Sequence, residues 1–418
     1  MSNPATEIIQ PASHSNARSE WRLPSSGVYT NLRLVGVGVT TTGGIAQFTD
    51  QGVYSLINVI SLWDGGTLLA EVRDAWHWMA FAMLRGPRRD NGGAFSLHGA
   101  LAGAASSWAL SRGDAATLSR LPSRNWYATT DATTTFQGWV PLAGLFPLIE
   151  ALGQVDTALF RNFRVVVEWR TAPIAGIFAG NTAGITIADG AVLRARLFAD
   201  PAEAKREMPS AVPFSTLLLE KVALPGAAAQ PEGAVTVPLQ TRVRLLGANG
   251  RSVSRMALIT VDPTLDAATV GDTRKSACSV ATESESWQFL VNGVPMFPFN
   301  GCDTPGRKHA SLALTFGGFS APSGSHIRST IPNGSPGAGT QPLAGLYDPA
   351  STPAQIAGRF SYGGFILARR IGDLQLIHNR TATTYQWTPL VLNVYYETAN
   401  VLTINKSAGA ATYSISVA

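Results

Sequence analysis

Six histidines, two cysteines and a scatter of carboxylates are the side chains of this 418-residue chain most able to do chemistry, and their spacing assembles no familiar site. His14, His77, His98, His309, His326 and His378 form no HxH, HExxH or HxxxH pair, so the convergent ligands of a zinc site are absent from the pattern. Cys278 and Cys302 belong to no CxxC motif and leave a disulfide as their one joint option. Neither a GxSxG nucleophile elbow nor a GxxxxGK[ST] phosphate loop occurs, nor a DxDxDG calcium loop. Gly36-Val37-Gly38 lacks the third glycine of a dinucleotide fingerprint and sits in a strand-like alternation, where glycine permits close sheet packing. Asp64, Glu150, Glu168, Glu285 and Glu397 lie near aromatics and are the candidates for a carboxylate pair of the glycosidase kind. His77, between Trp76 and Trp78, reads as part of a packed aromatic patch. The N-x-[ST] triplets at Asn333, Asn379 and Asn405 mean little without a secretory signal. No cofactor is expected.

The elements that must carry these residues are mostly strands. Short runs rich in Val, Ile, Thr, Phe, Tyr and Trp alternate with Gly, Pro, Asn and Asp, the pattern of an all-β sandwich. Strands are expected at Leu32–Thr42, Val53–Trp63 and, after an Asp64-Gly65-Gly66 turn, Thr67–Val72. Further candidates are Asn162–Trp169, Ile185–Ile187, Val192–Phe198, Val235–Leu246, Met256–Val261, Trp287–Val291, Ala310–Phe316, Phe360–Leu367, Leu374–His378, Tyr385–Tyr396, Val401–Ile404 and Thr412–Val417. Helix signals are few: Leu142–Leu152, Pro201–Glu207 with Pro at a first helical position, and Asp348–Gly358. Arg85–Arg124 and Ala321–Pro353 read as long surface loops, a length that is uncommon unless it serves function or an interface.

The composition limits the function classes. Only 14% of residues are charged, against roughly 25% in typical domains, which suggests a surface covered by subunit contact. With 32 basic against 27 acidic residues the net charge is +5, spread without a dense basic face, so sequence-specific nucleic-acid binding is not expected. Only five of the 32 basic residues are Lys; the excess of Arg, a forked donor that stacks on aromatics, suits protein interfaces. The start, MSNPATEIIQPASHSNARSE, has no basic and apolar signal pattern, and the richest apolar stretches, Trp76–Leu84 and Val140–Leu152, fall short of the roughly 20 residues of a membrane helix. A soluble protein made in a cytoplasm is the expectation. Most Trp residues lie in strand runs (Trp63, Trp139, Trp169, Trp287, Trp387), where core burial is the default; a β-sandwich carbohydrate-binding protein or glycosidase stays open as the alternative.

The chain divides near 199–212 into halves with weak parallels. Each opens on a strand carrying Arg between apolar residues (LRLVGVGV at 32–39, TRVRLLG at 241–247) and closes on a long apolar-aromatic one (FRVVVEWRT at 163–171, PLVLNVYYET at 389–398). The expected organisation is an N-terminal arm (1–21), a first sandwich (22–200), a linker (201–213) and a second sandwich (214–418).

The C-terminal segment Leu390–Ser414, with its long apolar strand, Ala399–Ile404 (ANVLTI) and the turn and strand Ser407–Tyr413 (SAGAATY), resembles the closing strands of double jelly-roll major capsid proteins of the tectivirus, adenovirus and large DNA virus lineage. Phe136–Trp169 is similar to the later part of a first jelly roll in that family, and Leu32–Leu69 to its opening. Ala399, Thr403 and Ala410 depart from the family pattern. The resemblance implies two jelly-roll β-sandwiches side by side with few short helices and long surface loops, and a non-enzymatic coat subunit. Such subunits form homotrimeric, pseudo-hexagonal capsomers that tile an icosahedral virion after synthesis in the host cytoplasm. The implied partners are other copies, neighbouring capsomers, penton or minor capsid proteins and an internal membrane. The Ala-, Gly- and Arg-rich composition suggests a bacteriophage. Within the arm, Arg18, Trp21 and Arg22 are the candidate inter-subunit or membrane contacts. The scarce charge is then expected to be missing from the flanks of the sandwiches and from the loops.

Overall fold

A computed structural model describes residues 6–42, 47–48, 54, 56–75, 133–143, 145–160, 162–170, 177–179, 186–187, 195–226, 238–261, 283–295, 362–370, 372–382, 389–407 and 410–417. His77 and the run Trp76–Leu84, both expected long loops, Cys278, Cys302, the strand at Ala310–Phe316, the helix at Asp348–Gly358 and Trp387 lie outside the described residues.

The first half contributes β1 (Glu7–Ile9), β2 (Ser13–His14), β3 (Arg18–Arg22), β4 (Val28–Thr42), β5 (Gln47–Phe48), β6 (Ile57–Asp64), β7 (Thr67–Arg73), β8 (Thr133–Pro141), the helix α1 (Pro147–Leu152), β9 (Val155–Asp156), β10 (Phe163–Trp169), β11 (Phe178–Ala179), β12 (Thr186–Ile187) and β13 (Arg196–Pro201). One sheet has the order β1-β13-β4-β12, with β8 and β9 also on β4; the facing sheet has the order β2-β3-β10-β6-β7; β11 and β5 form a separate pair. The second half contributes β14 (Ala211–Leu224), β15 (Pro238–Arg244), β16 (Ser252–Val261), β17 (Glu283–Val291), β18 (Val294–Pro295), β19 (Tyr362–Arg370), β20 (Leu374–Ala382), β21 (Leu390–Ser407) and β22 (Ala410–Val417). These make the sheets β14-β21-β16-β19, with β22 on β21, and β15-β20-β17-β18. All ladders among the described residues are antiparallel, as in all-β jelly rolls.

The connections are polarised. In both sandwiches the short links lie at one end: Gly65-Gly66 between β6 and β7, 245–251 between β15 and β16, and Asn292-Gly293 between β17 and β18, beside Gly372-Asp373 at the start of β20. β7 and β16 end, at Arg73 and Val261, on the opposite side of their sandwiches. Residues 202–210 join the two sandwiches at the short-link ends, so both share one polarity.

Local chemistry explains several departures from simple alternation. In β4 the buried side chains step from Tyr29 to Leu32 and Leu34 and then to Val37. Each change of parity coincides with a register shift and a left-handed residue, Asn31 at φ 48 and Gly36 at φ 75. Gly36 thus serves a β-bulge, where a Cβ is disfavoured, and not merely close packing. The helix expected at Leu142–Leu152 is confined to α1, because Pro147 has no amide hydrogen and starts it; Gly153 in the left-handed region (φ 65) ends it.

Three expectations are corrected. Pro201–Glu207 is not helical: its polar groups are committed elsewhere, with Lys205 Nζ 2.6 Å from Asp156 and the Arg206 amide donating to Gln154 Oε1 at 2.9 Å. The N-terminal segment is not an arm from Glu7 onward. β1 pairs with β13, β3 pairs with β10, and Trp21 is 1% exposed. β14 starts at Ala211, inside the expected linker.

Candidate functional site

Among the described residues, chemistry of the catalytic kind finds no assembled site. Among the described residues no group of three or more His, Cys, Asp or Glu side chains could hold a metal ion. Asp64 accepts the Asn162 amide (2.7 Å) and the Tyr413 hydroxyl (2.9 Å), and Glu397, buried on β21, lies 2.5 Å from Arg255 Nε. Glu150 and Glu168 are exposed and belong to different sheets' surroundings, and the Glu285 side chain is outside the description. His14 bonds Ser19, and His378 stacks on Trp287 in the second core with ring centroids 6.3 Å apart.

The surfaces that could meet another molecule are the outer faces of the two flanking sheets. On the face of β2-β3-β10-β6-β7, β3 alternates: Ser19 and Trp21 point inward, while Arg18, Glu20 and Arg22 point out. Trp21 crosses the Trp169 ring edge-on at 6.4 Å and donates its indole N–H to the Ala195 carbonyl, so it is a core residue and not a surface contact. Glu20 is gripped by Arg22 (2.8 Å), Arg164 (3.3 Å) and Arg18 (3.6 Å). Burial by itself would raise its carboxyl, but the hydrogen bonds and charges of Arg22 and Arg164 override this and hold it below its ordinary value. Arg164 also lies over the Trp63 ring, 5.6 Å from the centroid. Arg73 and Glu71 pair on β7.

The outer face of β15-β20-β17-β18 is a polar ladder. Gln240 donates to Asn379 (2.9 Å), Arg242 to Gln375 (2.7 Å) and Arg244 to Asp373 (2.8 Å), each across the β15–β20 pair. The described flanks therefore carry charge, contrary to the expectation that charge would be scarcest there. The partners explain it: Arg242 and Arg244 are tied across to Gln375 and Asp373, while Arg18 and Arg22 pair with Glu20 and Arg73 with Glu71 along their own strands.

A third feature, which the sequence reading missed, is the seam between the sandwiches. On β14 and β21 the side chains Leu218, Val222, Leu224, Leu390, Leu392, Val394 and Tyr396 belong to the second core. The opposite face presents Leu217, Leu219 and Tyr395 to the first. Past Thr398 both strands run beyond their own sandwich, and Val212, Phe214, Leu402 and Ile404 join the first core as well. Polar contacts stitch the edges: the Tyr395 hydroxyl donates to the Asp74 carbonyl (3.2 Å), Lys221 lies 2.5 Å from the Asp74 carboxylate, and Tyr413 bonds Asp64. Asp74 holds a left-handed backbone (φ 48), which Asp tolerates better than most residues. The sequence signal was the near-unbroken apolar run of β21, the pattern of a strand buried on both faces.

No protein-family model and no curated protein matches the chain. Solved structures do. PBCV-1 Vp54, fitted into a reconstruction of the Sputnik virophage, aligns over 100% of this chain and 98% of its own with a TM-score of 0.57 at 13% identity. The mavirus major capsid protein covers 99% of this chain and 90% of its own (TM-score 0.53, 12% identity). The Faustovirus major capsid protein covers 96% and 90% (TM-score 0.52, 9% identity). The chain has the double jelly-roll fold of these proteins, in agreement with the resemblance read from its sequence.

Proposed function

We propose that this protein is a viral major capsid protein, a structural coat subunit and not an enzyme. The observation that carries the reading is the alignment of both jelly rolls, end to end, with major capsid proteins of three viruses. The fused seam and shared polarity support it: a two-lobed unit whose described short links gather at one end is the shape a tile needs. Three copies about a threefold axis present six similar lobes and so a pseudo-hexagonal capsomer of an icosahedral shell. The partners are other copies of the chain, neighbouring capsomers, and penton or minor capsid proteins. An internal membrane is a further partner, and the protein reaches the virion after synthesis in the host cytoplasm. Arg18 and Arg22, more than half exposed at 52% and 55%, are the inter-subunit candidates that remain once Trp21 is assigned to the core. Light scattering on the purified protein tests this reading: a stable trimer of about 132 kDa supports it, and a persistent 44.1 kDa monomer at every concentration and salt overturns it.

A further inference from the structure

The two cores divide unevenly between the halves of the chain. Among the described residues the second sandwich's own cluster draws only on the second half of the chain, from Leu218 to Tyr396. The first sandwich's cluster contains six buried side chains from the second half: Val212, Phe214, Leu217, Tyr395, Leu402 and Ile404. Tyr413 and Ile415, on the last strand, pack against the same cluster. The first sandwich, although its strands end at Pro201, is therefore closed by residues of the second half, as far along as Ile415.

The contacts of the hairpin β21–β22 reach specific parts of the first sandwich. The Tyr413 ring lies 5.2 Å from that of Phe160, which in turn meets Phe163 edge-on at 5.5 Å. The Tyr413 hydroxyl donates to Asp64 Oδ2, while Asp64 Oδ1 accepts the Asn162 amide. β22 thus braces both the β6–β7 turn and the entry into β10, about 350 and 250 residues back along the chain respectively. The Ile404 amide, bonded to the Ser210 carbonyl at 2.8 Å, ties the same hairpin to the segment that joins the sandwiches.

We propose that the C-terminal hairpin β21–β22 is a completion latch: the first sandwich reaches its native packing only when this hairpin docks, so the two jelly rolls fold and open as one cooperative unit. Before docking, the side of the first core that receives Leu402, Ile404 and Tyr413 faces water, and a chain without its end presents that apolar side to solvent. The latch does not depend on what the protein assembles into.

Hydrogen exchange followed by mass spectrometry on the full-length chain tests it. In Tyr413→Ala and Leu402→Ala, amides of β6, β7 and β10 are expected to exchange at least about tenfold faster, in step with those of β21 and β22. Leu376→Ala, in the second core away from the seam, is expected to raise exchange in both sandwiches together if they open as one unit. Tyr413→Phe, which keeps the ring, covers the case in which the alanine variants do not fold: it is expected to quicken exchange at the β6–β7 turn about threefold. Acceleration confined to β21 and β22, or to the second sandwich in Leu376→Ala, with β6, β7 and β10 at wild-type rates, overturns the latch.

Discussion

Replacing Glu20 with Gln is the perturbation whose cost is best defined by the structure. The residue is 4% exposed and its carboxylate is shared by three guanidinium groups at 2.8, 3.3 and 3.6 Å. Removing one partner of a buried pair costs about 3–5 kcal/mol. Arg18 and Arg22, at 52% and 55% exposure, regain water readily, and only Arg164, at 20%, is left poorly solvated. Discounting for that exposure gives about 2 kcal/mol, or a fall of roughly 2–4 °C in the unfolding midpoint for a chain of this size. The pH dependence has a definite sign. The folded carboxyl titrates below its ordinary value of 4.5; its contribution is therefore full above that value and is lost as the pH falls through the lower folded one. Thermal unfolding of wild type and Glu20→Gln, compared at neutral pH and in acid, checks both parts. The gap should be present at neutral pH and close in acid; equal midpoints at neutral pH, or a gap undiminished in acid, refute the reasoning.

Three further outcomes follow from other parts of the molecule. Tyr29 bonds Glu7 on β1 at 3.0 Å, and burial, then the Glu7 hydrogen bond and charge, push its hydroxyl from 10.0 up to about 12. The contact is fully present below pH 10.0 and lost as pH rises toward about 12; alkaline exchange at β1 amides should rise across that window, and Tyr29→Phe should abolish the step. Gly293 stands at φ 78 beside Asn292 at φ 51, a two-residue hairpin turn of the I′ kind; Gly293→Val should cost about 1–2 kcal/mol in a denaturant titration. At the seam, Lys221→Met should cost about 1–2 kcal/mol, since the Lys221 side chain is 54% exposed but the Asp74 carboxylate it leaves is only 9% exposed, whereas Ile404→Ala, 4% exposed, should cost about 2–4 kcal/mol in the same titration.

The strands legible in the sequence were those with one clear periodicity. NFRVVVEW reads as β10 because Phe163, Val165, Val167 and Trp169 fill one face, and the Asp64-Gly65-Gly66 turn sits where it was expected. β21 was read as two strands because Ala399 and Asn400 interrupt its apolar run, yet the ladder to β14 continues through both. β14 was not read at all: Leu217, Leu218 and Leu219 do not alternate, since one face fills its own core and the other fills the seam. β3 was hidden for the opposite reason. In RSEWR only Trp21 is apolar, and Ser19 is buried through its bond to the Trp169 indole. The seam depends on pairings between residues more than 300 positions apart, such as Asp64 with Tyr413, which no local pattern encodes.

The account stands or falls on what the purified protein looks like when it assembles. Class averages from electron micrographs should show particles with threefold symmetry and six lobes arranged as a pseudo-hexagon. Isolated two-lobed particles without threefold partners, at concentrations well above those of a coat protein in an infected cell, would contradict it.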